Sequence, residues 1–357
     1  MMKTRLAIVL AALALLTSCV HEFPVTTPAN VDLVLTFDTK MSYYNTRLFP
    51  DETSQIPDVN AEPSTEVPSD EHLFVPDYAK MGDYDLRYTI EAYRQIAEDT
   101  YSSQPVQRWV LTDADATKLD EYAFQVTLDE GRYIFRAWAD FVPEGSTADY
   151  HYNTQDWSYG IWFDYRKYVG NTESRDTYVG STVVDVVRLG SSVAPVRGVL
   201  EMKRNQARYV FLTNDLDEFI TKVTKGQARS AAFDIDDYVF EVEYTNYFPQ
   251  RYSISADMAV DSAPTAKYVA KLTQIDDKRA IMGFDFVITG TDGRTFVPLQ
   301  VRLKTNDGTI LAEHTNINVP VLGNHYTIVE GRFLMQESNG GIAIDPGFGG
   351  PDIVVRI

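Results

Sequence analysis

The feature that most constrains this chain is a two-residue rhythm of apolar and polar side chains, repeated in short bursts and cut by turns. Val31, Leu33, Leu35 and Phe37 alternate with Asp32, Val34 and Thr36, the period of a strand with one buried face. Tyr84, Leu86, Tyr88, Ile90 and Ala92 alternate with Asp85, Arg87, Thr89 and Glu91, and their aromatic content favours strand over helix. Phe124, Val126 and Leu128 lead through Asp129-Glu130-Gly131 to Tyr133, Phe135, Ala137 and Ala139, which predicts a hairpin over residues 123–140. Further strands are expected at 183–187, 198–202, 207–212, 238–244, 267–274, 281–289, 294–304, 309–319 and 326–334. Gly290-Thr291-Asp292-Gly293 and Asn306-Asp307-Gly308 supply turns. Residues 353–357 form a last apolar segment, expected to complete their own sheet.

One helix is expected, over 215–223, with Asp215 and Asp217 near its positive N-terminal end. A chain with this rhythm and almost no amphipathic helix reads as all-β, built from antiparallel β-sandwiches, one per half. No repeat of 20–50 residues marks a propeller or solenoid. At 357 residues the chain exceeds the usual single domain. Ser191-Ser192-Val193-Ala194-Pro195 interrupts the pattern, so the expected units are an N-terminal sandwich over 31–193 and a C-terminal one over 194–357. Residues 51–77 read as a long polar loop, and 149–177 as a long connection rich in Tyr and Trp.

The N-terminus carries a different signal. Lys3 and Arg5 precede an uninterrupted apolar run from Leu6 to Leu16. It suits a signal peptide and is short of the roughly 20 residues needed to span a bilayer. Leu16-Thr17-Ser18-Cys19 closes the run and resembles the lipobox of a bacterial lipoprotein. In that pattern residues 1–18 are removed and Cys19 is lipidated as the first mature residue. Cys19 is the only cysteine, so an internal disulfide is impossible and a lipid thioether would occupy the free thiol. Each buried CH2 of an acyl chain contributes about 0.8 kcal/mol of anchoring. Residues 19–30, with Pro24, Thr26-Thr27 and Pro28, read as a tether.

Hydrophobic residues at 44% allow a sizeable core, while 51 acidic against 32 basic residues give a net charge of −19. Such a body is repelled by polyanions, which argues against a nucleic-acid partner. There is no Gly-x-Ser-x-Gly elbow, phosphate loop or dinucleotide fingerprint. His21, His72, His151, His314 and His325 are scattered without zinc-ligand spacing. Asp234-Ile235-Asp236-Asp237 lacks the glycine and spacing of a calcium loop and reads as a solvated turn. His151-Tyr152 with Asp156-Trp157 could be drawn as a sugar-binding patch, although buried sandwich aromatics are the commoner reading. No catalytic residue, metal or cofactor is expected.

Several stretches together resemble the FimB-type fimbrial anchor lipoproteins of Bacteroidia, of the type V pilus system. They are the lipobox Leu16 to Cys19; Tyr84-Asp85-Leu86-Arg87-Tyr88 with Ala92-Tyr93-Arg94; and Gly131-Arg132-Tyr133 leading to Ala137-Trp138-Ala139-Asp140. To these add Arg175-Asp176-Thr177-Tyr178-Val179-Gly180, the run from Asn324-His325-Tyr326 to Phe333-Leu334, and Ile344-Asp345-Pro346-Gly347-Phe348-Gly349-Gly350. Tyr84 departs from the pattern, where the family often has histidine. The resemblance implies two transthyretin-like β-sandwich domains in tandem. It implies an acylated, palmitate-bearing lipoprotein held in the outer membrane through Cys19 and exposed at the surface. It further implies a structural role at the base of a fimbrium, joined to stalk subunits by strand complementation and able to limit fimbrial length. The competing reading is a lipid-anchored adhesin or carbohydrate-binding protein that uses exposed aromatics such as Trp157 or Trp162.

Overall fold

The computed structural model describes residues 28–44, 70–187, 195–225, 233–335 and 354–356. Cys19, most of the expected loop 51–77 and the 191–194 punctuation lie outside the described residues. The first half contributes β1 (Ala29–Asp38), β2 (Ser42–Tyr44), β3 (Tyr84–Ala97), β4 (Thr100–Tyr101), β5 (Gln107–Asp113), β6 (Tyr122–Leu128), β7 (Gly131–Pro143), β8 (Ile161–Trp162) and β9 (Thr177–Val186). Then come β10 (Val196–Arg204), β11 (Gln206–Thr213), helix α1 (Leu216–Thr224), β12 (Tyr238–Tyr244), β13 (Phe248–Ser253), β14 (Met258–Ala263) and β15 (Ala266–Lys271). The chain ends through β16 (Thr273–Gln274), β17 (Ala280–Ile288), β18 (Arg294–Thr305), β19 (Ile310–Leu322), β20 (His325–Gly331) and β21 (Val354–Arg356). The protein is all-β, and its one α-helix among the described residues falls where the sequence predicts it. None of the described helices is long and apolar enough to cross a membrane.

The first sheet runs β4-β3-β7-β9-β10-β1-β6, with β5 also paired to β3. β9 and β10 share only two registered pairs, Tyr178–Arg204 and Val179–Lys203. The sheet therefore folds at that seam into two layers, one built on β3, β7 and β9 and the other on β10, β1 and β6. Between them sit the inward residues of the two-residue rhythm: Val31, Leu33 and Leu35; Tyr88 and Ile90; Val126; Phe135, Ala137 and Ala139; Leu200 and Met202. Gly198 lets the layers approach, because a Cβ there would lie 2.7 Å from Val184 Cγ2 and 2.9 Å from Leu33 Cδ2.

This arrangement corrects the expected hairpin over 123–140. β6 pairs with β1, and β7 pairs with β3 and β9. The turn at 129–130 therefore joins the two layers as an arch. Alternation is satisfied equally by a hairpin and by an arch, since both turn the same residues to one core. The segment 294–322, by contrast, is a true hairpin, with β18 registered on β19.

β10 belongs to the first sheet, parallel to β1 over eight pairs from Val31–Val196 to Asp38–Lys203. The expected boundary at 193/194 thus falls between two neighbours in one sheet. The chain passes to the second half at Asn205, directly before β11. There β16, β17, β11 and β20 form one sheet, β15, β12, β18 and β19 a second, and β14, β13 and β8 a third. β11 is buried along its whole length. Tyr209 and Phe211 join the main core with Phe240, Val242, Leu299 and Val301, while Val210 and Leu212 pack on Met41, Phe74, Tyr326 and Ile328. The outer edge of β20 carries two short parallel strands end to end, β2 at His325–Thr327 and β21 at Ile328–Glu330. The terminal segment thus pairs in its own sheet.

The Tyr- and Trp-rich connection 149–177 is not a surface loop. It supplies Tyr152, Trp157, Ile161 and Phe163 to the second core, and Trp138 of β7 meets it there, 5.5 Å from the Tyr152 ring and 5.9 Å from Tyr252. Because β1 has β10 as its parallel partner, a fragment of residues 28–195 should lose cooperative thermal unfolding. A fragment of 28–205 should retain more of it. Circular dichroism melts of the two fragments check this.

Candidate functional site

The motifs that stand out in the sequence hold charged residues inside apolar strands. A charge buried alone is expensive, so each must find a partner within the fold. Arg87 lies opposite Asp140 in the β3–β7 register. Its Nε and Nη2 donate to Asp140 Oδ1 and Oδ2 at 2.9 and 2.7 Å, and its Nη1 donates to Asp149 Oδ1 at 2.9 Å. Arg87 and Asp140 are both fully buried. The Tyr84–Tyr88 and Ala137–Asp140 stretches are therefore two halves of one fork-to-fork pair.

The second pair is Asp176 with Arg204, both wholly inaccessible. Arg204 Nε donates to Asp176 Oδ1 at 2.8 Å and Nη2 to Oδ2 at 3.0 Å. Tyr78 donates to Asp176 Oδ2 at 2.5 Å and accepts from Arg204 Nη2 at 2.7 Å. Arg204 also reaches Asn324 Oδ1 at 2.9 Å and the Thr39 carbonyl at 3.5 Å, and its guanidinium lies 4.9 Å from the Tyr178 ring. Four other segments of chain meet at this one guanidinium. They include Asp176-Thr177-Tyr178 and Asn324, from two of the stretches already singled out.

A third cluster lies beside it. Arg208 of β11 donates to both oxygens of Glu173, at 2.5 and 3.0 Å, and stacks 3.8 Å from the Phe284 ring. Asp285 of β17 accepts from Tyr168 and Tyr244 hydroxyls at 2.5 and 2.6 Å. Arg175 stacks over Tyr168, Phe163 and Tyr152 at 4.2, 4.8 and 5.1 Å. Burial holds the hydroxyls of Tyr168, Tyr178, Tyr209, Tyr244 and Tyr268 protonated, far above their ordinary pKa. They serve as hydrogen-bond donors and acceptors and not as acids or bases near neutrality. The sequence reading missed Arg204, Arg208 and Asp285. The available signal was a charge inside an otherwise apolar strand, as in Ile281–Ile288.

The other residues singled out do not converge. Asp234 accepts from the Asp236 amide at 3.0 Å on an exposed turn, and Asp236 faces Lys271 at the end of β15 at 3.5 Å. Among the described residues no group of three or more His, Cys, Asp or Glu could hold a metal ion. Tyr152 and Trp157 are buried, with the Tyr152 hydroxyl donating to the Arg175 carbonyl at 2.8 Å and Arg108 lying 5.5 Å from the Trp157 ring. His151 bonds Ser174 Oγ at 2.8 Å, and Asp156 caps its own turn through Ser158. The two aromatic rings of the drawn sugar patch are thus part of the interior while Asp156 is exposed, and Trp162 is half-buried in β8, paired to β13.

An all-β frame whose buried charges tie its segments together is the class of protein that this geometry defines. The chain belongs to a family of unknown function (DUF6562), whose model matches residues 26–356. No curated protein matches it. Among solved structures it is similar to a candidate polysaccharide-binding protein from Bacteroides thetaiotaomicron, at 12% identity over 81% of this chain and 80% of that one, with a TM-score of 0.41. It is similar to the fimbrial anchor protein Mfa2 from Porphyromonas gingivalis, at 12% identity over 81% and 82%, with a TM-score of 0.37. A candidate adhesin from Bacteroides thetaiotaomicron is 10% identical over 86% and 93%, with a TM-score of 0.41. The likeness thus extends to proteins named as fimbrial and as adhesive, at levels that leave the activity to be argued from this chain.

Two outcomes follow. Arg204→Met leaves Asp176 buried without its partner and should cost about 3–5 kcal/mol in urea unfolding, with Asp176→Leu in the same chain recovering part of the loss. The His151 imidazole is held down to about 3, by burial first and by the charge of Arg175 second. The unfolded chain binds that proton near pH 6.5. Between about pH 6.5 and 3 the unfolded state therefore carries more protons, and stability falls as pH falls. His151→Gln should flatten that part of the stability–pH curve, measured by denaturant midpoints.

Proposed function

We propose that this protein is a lipid-anchored structural subunit that holds the membrane-proximal end of a fimbrium. The observation that carries the reading is Leu16-Thr17-Ser18-Cys19, with the only cysteine of the chain at the lipidation position. The family-like motifs support it, because their charged residues are spent on internal pairing and leave a frame rather than a reaction centre. From residue 28 the chain enters β1, which is flanked on both sides within the first sheet.

A subunit fixed by lipid at its N-terminus suits the base of a polymer, where it ties the fibre down and can stop its growth. The joint to a stalk subunit would be a strand added to an open sheet edge. Edge strands present unpaired N–H and C=O groups, and an added strand satisfies them while burying alternate apolar side chains. Among the described residues β15 and β19 flank their sheet in this way. In this reading the protein is not an enzyme, and its partners are the stalk subunit and the outer-membrane lipid.

Cys19→Ala should leave the precursor unprocessed or release the body from the membrane fraction. Deleting the gene in its native host should shed fimbriae into the medium or alter their length, and the intact protein should co-purify with the stalk subunit. Fimbriae that stay attached at normal length, with no stalk association, would rule the anchor out and leave the lipid-anchored adhesin.

A further inference from the structure

An open cleft of about 520 Å3 lies between β14 and the first residues of β18, and no residue of the buried charge clusters lines it. Three large side chains with apolar surface line it while facing solvent: Tyr247 at 70% exposure, Met258 at 51% and Val260 at 44%. One such residue is ordinary, but three around one concavity form a patch of the kind that marks a binding site. Tyr247 also sits at φ 54°, in the left-handed region that non-glycine residues seldom occupy. Its neighbours fix that conformation, with the Thr245 amide bonded to the Pro298 carbonyl at 3.1 Å and β13 starting at Phe248. Strain of this sort recurs at ligand clamps. Here it holds an aromatic ring in water, where no ring contact or hydrogen bond within the described residues accounts for it.

The polar side of the cleft is short and uncrowded. Ser262 and Thr295 line it, and neither hydroxyl bonds another described residue. Asp261 is fixed there by Arg251, whose Nη2 lies 3.3 Å from Oδ2. With Asp261 and Arg294 both lining it, the cleft has no excess of charge for an ionic ligand. One apolar platform facing hydroxyls and a carboxylate matches a molecule with one C–H face and a rim of hydroxyl groups.

We propose that this cleft binds a neutral saccharide, with one pyranose ring stacked on Tyr247 and its hydroxyls bonded by Ser262, Thr295 and Asp261. An added peptide strand fits less well. The β13–β14 register breaks twice, between Pro249 and Arg251 and between Arg251 and Tyr252. A bulged pair twists its edge away from the flat ladder that a new strand needs. The site goes beyond the anchoring role and does not depend on it.

The test uses the detergent-solubilised full chain with maltohexaose, cellohexaose, mannohexaose and galactohexaose, followed by saturation-transfer NMR and titration calorimetry. At least one should bind with a Kd below about 5 mM, and Tyr247→Ala should weaken it about tenfold or more, or 1.4 kcal/mol. Tyr247→Phe keeps the ring and should stay within about twofold of the parent. Val269→Ala, on the exposed face of another sheet, should change nothing. Because Tyr247 is so exposed, its variants should melt with the parent chain. No saturation transfer from any of the four at 10 mM, or binding that survives Tyr247→Ala, would overturn the proposal. The anchor reading is judged apart from this, since Tyr247→Ala in the native host should leave fimbriae attached.

Discussion

The pair of Asp176 and Arg204 is the interaction on which the rest of the architecture depends. It sits where the first sheet folds at its two-pair seam and where the chain leaves that sheet for the second half. A guanidinium buried at such a corner needs its donors met, and here each partner comes from a different stretch: Thr39, Tyr78, Asp176 with Tyr178, and Asn324. Fixed geometry is what arginine offers over lysine, since its planar fork bonds several acceptors in set directions. The cost of burying the pair is offset only when all these partners are in place. The two halves therefore share a polar centre as well as an apolar one.

Apolar contacts divide the labour differently. The first core is closed by two layers of one folded sheet, while the second draws on three sheets and on the 149–177 connection. Tyr152, Phe163 and Tyr168 from that connection surround Arg175, and the two tyrosines bring hydroxyls to Gln206 and Asp285. A segment whose only regular structure is β8 and short turns can be buried this way because most of its polar groups find partners, Arg175 Nε and Nη2 and the Trp157 indole N–H being exceptions. Thr172 and Asp164 cap its short turns, and the Phe163 carbonyl accepts from Gln250 at 2.8 Å.

Much of the strand pattern was legible, because period-2 alternation reports a half-buried strand directly. The helix at Leu216–Thr224 was legible too, though Asp215 turned out to hold the 333–335 segment: its carboxylate accepts from the Leu334 and Met335 amides. Partner choice was not legible. Alternation at 124–139 says which face is inward and not which strand is adjacent, so an arch passed for a hairpin. Ser191 to Pro195 looked like a boundary, yet the alternation of β10 is completed by β1 from the far end of the first half. Such long-range parallel pairing leaves no local trace. At His151–Trp157 the reading of buried sandwich aromatics holds for Tyr152 and Trp157, although their residue types alone serve interiors and surfaces alike. The Tyr247 cleft, spread over 247–262 and 288–295, has no contiguous motif at all.

The placement of β1 has a mechanical meaning. It is clasped on both sides, by eight registered pairs to β10 and seven to β6, and it follows directly on residue 28. A pull along that strand from its N-terminal end loads both ladders in shear, so many hydrogen bonds must yield together rather than one after another. Beyond β1 the load path continues through Thr39 to Arg204 and through β2 to β20, from one half into the other. Any body held by its first residues in moving fluid feels its drag along this line, and here the line runs through a strand laced on both sides and on into the buried Asp176–Arg204 corner.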